Sequence, residues 1–146
     1  MKLLFASLIA LSLCLPTAFA AGSEEDESNP SVSAAVQAIK AQDWPGAITL
    51  LKAEVAANKG TASIHNYIGF AHRKLGDFDN AFKHYAIALK MNPEHRGAHE
   101  YVGQTYLAVG NLEMAKKHLD ALDRICFFGC EEYDDLKAAV ATYRPK

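Results

Sequence analysis

Cys126 and Cys130 bound the segment Cys-Phe-Phe-Gly-Cys, and what they can do depends on whether their sulfurs meet. A redox-active pair usually has two residues between its cysteines, and haem attachment needs a following histidine where this chain has Glu131. Two thiolates can hold a metal, but no nearby histidine completes a ligand set. A structural disulfide is therefore the expected state, with Gly129 giving the backbone the freedom that so tight a bridge requires. Closing so short a loop stabilises by about 2 kcal/mol or less.

The six histidines are the second group with chemistry to offer. His65 and His99 lie 34 residues apart, as do His84 and His118, so duplication of one segment accounts for four of them. His95 and His99, with Glu94 and Glu100 beside them, are candidate surface metal ligands. Packed or solvated imidazoles are the simpler expectation, so neither a metal nor another cofactor is expected. The sequence contains no glycine-rich phosphate loop, no Gly-x-Ser-x-Gly and no His-Glu-x-x-His. A non-enzyme is expected.

The elements that position these residues follow from what remains after export. Lys2, the apolar stretch from Leu3 to Leu15 and the small-x-small site Ala18-Phe19-Ala20 read as a signal peptide over residues 1–20. The stretch is short of the roughly 20 residues needed to cross a bilayer, and Pro16 ends it. Residues 21–29 form an acidic leader, in which Ser23 to Asn29 hold nothing apolar to bury. The expected location is the periplasm, or outside the cell, where a disulfide persists. Net charge is −2 for all 146 residues, and cleavage removes Lys2 but no acid, leaving −3. That gives no basic footprint for nucleic acid and no polybasic patch for membranes. No membrane insertion is expected once the signal is gone.

From residue 30 onward one pattern returns every 34 residues. Gly69, Gly76, Ala81, Tyr85, Ala88 and Pro93 correspond to Gly103, Gly110, Ala115, Leu119, Leu122 and Phe127. A fainter copy runs through Ala35, Gln42, Ala47, Leu51, Glu54 and Lys59. Self-similarity at such a period marks a repeat architecture. Apolar spacing, caps at Asp43, Asp77 and Asn111, and stops at Gly76 and Gly110 predict paired helices with short turns. The helices are expected over residues 31–41, 44–57, 62–75, 78–91, 96–109 and 112–125. A last helix over residues 131–143 caps the array, with Tyr133, Leu136, Val140 and Tyr143 as its buried stripe. Gly69 and Gly103 stand mid-helix, where glycine costs up to about 1 kcal/mol, so a neighbouring helix is expected to press close there. Tyr85 and Leu119 are expected to fill the space between units.

These residues resemble the tetratricopeptide repeat, in its exported bacterial type. The middle unit reads His65-x-x-Ile68-Gly69-x-x-His72, then Ala81-x-x-x-Tyr85-x-x-Ala88 and Pro93. The resemblance implies an all-α, right-handed superhelix of three helix pairs, over about 28–61, 62–95 and 96–129, with residues 130–146 as cap and tail. It also implies a concave groove lined by the first helix of each pair, which holds a peptide or helix of a partner protein. Carried over position by position, the groove residues are Val36, Ile39 and Lys40; Asn66, Phe70, Arg73 and Lys74; and Tyr101, Gln104 and Leu107. Glu100 and Tyr101 depart from the charged clamp of chaperone-binding relatives, so that ligand is not implied. Two other functions compete: a structural subunit that acts through self-association or a larger complex, and a thiol-redox or metal-handling protein.

Overall fold

Six of the described helices begin where a polar side chain can satisfy N–H groups that lack intrahelical partners. Asn29, Asp43, Thr61, Asp77, His95 and Asn111 each accept from a backbone N–H of the first turn that follows. The computed structural model describes residues 29–145. Among them are seven helices: α1 (Pro30–Lys40), α2 (Trp44–Ala56), α3 (Ala62–Lys74), α4 (Phe78–Met91), α5 (Arg96–Ala108), α6 (Leu112–Ile125) and α7 (Glu131–Thr142). The expected signal peptide and the acidic leader lie outside the described residues, except for Asn29. That residue is the N-cap of α1.

Helix ends fall within a residue or so of the expected ones. Gly76 and Gly110 terminate α3 and α5 at φ of +76° and +84°, a region open to glycine at no steric cost. Gln42 holds the same column in the first unit and takes φ of +60° despite its side chain. The first unit's other departure is also accommodated. Glu54 stands where the later units have Ala88 and Leu122, and it is buried. Asn29 Nδ2 donates to it across 2.9 Å, and Asn29 and Ser31 hold its carboxyl below the usual range.

The described residues form an all-α helical-repeat solenoid of three hairpins, α1–α2, α3–α4 and α5–α6, with α7 packed on α5 and α6. One core cluster joins Val32, Ile39, Leu51, Ile64, Tyr67 and Ile68 across the first two hairpins. A second joins Ala81, Tyr85, Tyr101 and Val102. Phe70 packs against both clusters and links them.

The helical glycines are under the pressure that the pattern requires. A Cβ on Gly69 would sit 2.7 Å from Tyr85 Cε1, and one on Gly103 would sit 2.6 Å from Leu136 Cδ2. The second contact differs from the expectation that Leu119 plays the part of Tyr85. Leucine does not reach as far as tyrosine, and Leu136 of α7 occupies the space over Gly103 instead. The stripe on α7 also differs: Leu136 and Glu132 are its buried residues, whereas Tyr133, Val140 and Tyr143 are half-buried. Glu132 faces Arg96 at 3.9 Å. The Cys126 and Cys130 sulfurs lie 2.05 Å apart, with Cα atoms separated by 5.6 Å.

Candidate functional site

An aromatic ladder crosses the face formed by α1, α3 and α5. Trp44 at the start of α2 meets Phe70 edge-on, with ring centroids 5.9 Å apart. Phe70 in turn meets Tyr101 at 4.8 Å. Two cations lie on the ladder. The Arg73 guanidinium is 5.3 Å from the Phe70 centroid and 5.6 Å from that of Tyr101. Lys74 Nζ is 5.3 Å from Phe70 and 5.9 Å from Trp44. The rings attract these cations through their negative faces. Burial, and then the Arg73 charge, holds Lys74 below the usual lysine range.

Phe70, Arg73, Lys74 and Tyr101 are therefore brought together as the resemblance implies. Tyr101, however, is buried as a rung of the ladder, and Arg73 is half-buried against it. Lys74 and Lys40 are the exposed groups of the set. Asn66 is only 1% exposed, so its amide is not offered at the surface, and Ile39 is core. Gln104 is half-buried and donates from Nε2 to Glu100 Oε1 at 2.7 Å. Val36 and Leu107 are half-buried. Trp44 was missing from the sequence-derived set because it starts a second helix. Its aromatic type at the first turn, one unit before Phe78, was the available signal.

Several polar groups of α3, α4 and α5 are buried. Asn66 Oδ1, Arg73 Nε and Tyr85 Oη are buried and make no hydrogen bond among the described residues. Burial pushes the Tyr85 phenol up, against the pull of the neighbouring Arg73 and Thr105. Glu100, only 5% exposed, is pushed up to about 8. The leading cause is burial, followed by Asp135 and Glu132 of α7, with Arg73 opposing. The cavity end of this face is lined by Phe78, Gln104, Leu107, Val109 and Tyr143, with a volume of ≈ 990 Å³.

The histidine columns prove to be contacts. His65 Nδ1 lies 3.0 Å from His84 Nδ1, and His99 Nδ1 lies 2.9 Å from His118 Nδ1. His99 Nε2 sits 2.9 Å from the Pro93 carbonyl, which only accepts, so that nitrogen carries a proton. Neutral His99 then presents a lone pair at Nδ1, and His118 Nδ1–H donates to it. Burial lowers all four, with His84 and His118 brought to about 4. His84 also faces His72, Lys52 and Lys83. His95 Nδ1 accepts from Ala98 N, so His95 and His99 are each engaged in the fold rather than directed to a shared surface ion. Among the described residues no three His, Cys, Asp or Glu side chains gather in a metal-holding group. None of the described helices is long and apolar enough to cross a membrane.

The tetratricopeptide repeat family matches residues 62–95, the middle hairpin. The chain is also similar to the human protein O-mannosyl-transferase TMTC3, 31% identical over 75 residues. That stretch covers 51% of this chain and 8% of the human protein. The mouse protein of the same name is 34% identical over 64 residues, 44% of this chain and 7% of the relative. The chain thus spans a small part of the curated relatives it matches. Together these likenesses support a tetratricopeptide-repeat protein, a type that is generally a non-catalytic protein-interaction module.

Proposed function

We propose that this protein is an exported scaffold whose concave face holds a peptide or helical segment of an envelope or secreted partner. The observation that carries the reading is the ladder Trp44–Phe70–Tyr101 with Arg73 and Lys74 stacked on it. Rings supply apolar area with little conformational freedom to lose, and the exposed ammonium of Lys74 supplies orientation. Arg73 lies partly within the fold, so its reversal risks the hairpin as well as binding. Lys74→Glu tests the face without that ambiguity. Crosslinking in intact cells, read by mass spectrometry, recovers a partner with the natural chain and loses it with Lys74→Glu. Equal recovery by the variant overturns the groove.

One observation favours a second reading. Phe127 and Phe128 are 84% and 97% exposed at the tip of the loop between Cys126 and Cys130. Adjacent exposed rings are a ready contact for self-association or for membership of a larger complex. Light scattering separates the readings: a stable oligomer that Phe127→Ser with Phe128→Ser dissolves favours assembly, and a monomer favours ligand capture. The proposed location is the periplasm or the exterior, with Cys126 and Cys130 oxidised there. Purification from that compartment with no free thiols and an N-terminus at Ala21 supports both points. Free thiols revive the redox alternative.

A further inference from the structure

The first two units build the same slot and fill it differently. Trp44, Phe70 and Lys74 occupy the slot between the first two hairpins. The residues 34 positions later are Phe78, Gln104 and Ala108. In the earlier slot Phe70 stands edge-on to the indole and Lys74 Nζ lies over it. In the later slot Gln104 bonds to Glu100 and Ala108 ends at its Cβ, so neither side chain replaces what Phe70 and Lys74 supply. Phe78 is left on the wall of the ≈ 990 Å³ cavity, with Leu107, Val109 and Tyr143 as further apolar walls. Arg144 contributes the charged side chain among the residues that line it. Its Nη1 donates to the carbonyl of the adjacent Tyr143, and among the described residues no carboxylate pairs with it.

We propose that this second slot receives an aromatic side chain of the partner segment, carried beside a carboxylate that pairs with Arg144. The proposal rests on the groove reading and makes the partner's chemistry specific. The filled slot shows which group the shared backbone accommodates. A ring of roughly 150–250 Å² meets the apolar walls, and a cavity of this order has room for its flanking backbone as well. Charge complementarity selects the anion, because a guanidinium fork matches a carboxylate in two parallel hydrogen bonds.

The experiment uses a phage-displayed random peptide library, panned on residues 21–146 and on the doubly substituted chain Gln104→Phe with Ala108→Lys. That variant restores the earlier slot's residues and closes the cavity; circular dichroism and the melting temperature check its fold. Ala108→Leu, which narrows the cavity from an exposed position, serves if the double variant does not fold. Expected are peptides with an aromatic residue within two positions of Asp or Glu. The double variant should bind them at least tenfold more weakly, and Arg144→Glu should weaken them as well. Peptides that are lost on Lys74→Glu but indifferent to both Gln104→Phe/Ala108→Lys and Ala108→Leu overturn the aromatic slot and leave the groove standing. Peptides indifferent to every variant overturn both. A library that yields no binder overturns the partner segment, even where Phe127→Ser/Phe128→Ser dissolves a dimer. No binder and no dimer overturns it too.

Discussion

The middle and last hairpins share a column of glycines and solve it with different partners. Over Gly69 lies Tyr85, from the second helix of the same hairpin; over Gly103 lies Leu136, from α7. The middle hairpin closes on itself, whereas the last one is completed by the cap. A repeated glycine therefore specifies a thin wall and leaves open which side chain fills the space. The consequence is an asymmetry in stability along the solenoid, since repeat arrays are held by neighbour-to-neighbour interfaces.

The largest effects test that asymmetry directly. Gly69→Ala pushes a methyl group into the Tyr85 ring, which is fully buried and has nowhere to go. A loss of about 3 kcal/mol in urea unfolding is expected. Gly103→Ala meets the methyl ends of Leu136 on a terminal helix, a flexible side chain that can swing aside. Its loss should be about 1–2 kcal/mol, with hydrogen exchange faster in α7 alone. Leu136→Ala should undock α7 at about 2–5 kcal/mol. Equal losses at the two glycines, with no local change in α7, remove the distinction between the hairpins.

Asn66 and Glu100 hold one column in the two hairpins, and only the second can ionise. Glu100 is raised from an unfolded value near 4.5 to about 8. The folded state therefore binds more protons between those values, and stability falls as pH rises through that window. Glu100→Gln removes this alkaline loss. The variant should match the natural chain near pH 4 and exceed it by about 2–3 kcal/mol near pH 8. A gap that is constant with pH shows that the carboxyl is not the cause.

The histidine pairs act alike in both hairpins and should break the comparison in the opposite direction. His84 and His118 fall to about 4 when folded, against a usual value of 6.5. The unfolded chain then binds more protons between pH 4 and 6.5, so stability is lost as pH falls through that range. Each pair holds one bridging hydrogen between its Nδ1 atoms, and full protonation of both rings puts two N–H groups face to face. Lys52, Lys83 and His72 near His84, and Arg124 near His99, add to the resistance, while Asp77 bonds His72. A loss of roughly 1–2 kcal/mol per pair by pH 4 is expected, allowing for solvent at the half-buried rings. His84→Asn with His118→Asn should flatten this acid limb in thermal melts. An unchanged slope places the acid sensitivity elsewhere.

The periodic columns made the helices, their caps and the glycine walls legible, because those are local needs that every unit repeats. The site was only half legible. Register places Phe70, Arg73, Lys74 and Tyr101 near one another, and they are in contact, but register says nothing of depth. Asn66 is buried, and Trp44 joins the ladder from a second helix. The His65–His84 and His99–His118 contacts were present as columns, yet which column faces which depends on how the hairpin closes. Leu136 over Gly103 was hidden for the same reason: a shorter Leu119 left a space that only the packed cap reveals.

The smallest effect concerns how α7 is held. Among the features that hold it to the last hairpin are the proposed Cys126–Cys130 disulfide, which spans four positions in sequence, and Leu136 over Gly103. A crosslink stabilises mainly by restricting the unfolded chain, and so short a loop has little freedom to lose, about 2 kcal/mol or less. The packed leucine acts on the folded state itself. Reduction by dithiothreitol, or Cys126→Ser with Cys130→Ser, should therefore lower urea stability by less than Leu136→Ala does. It should also leave hydrogen exchange in α7 slow. If reduction alone releases α7, the cap is tethered rather than packed, and the last hairpin depends on covalent chemistry that the middle one does without.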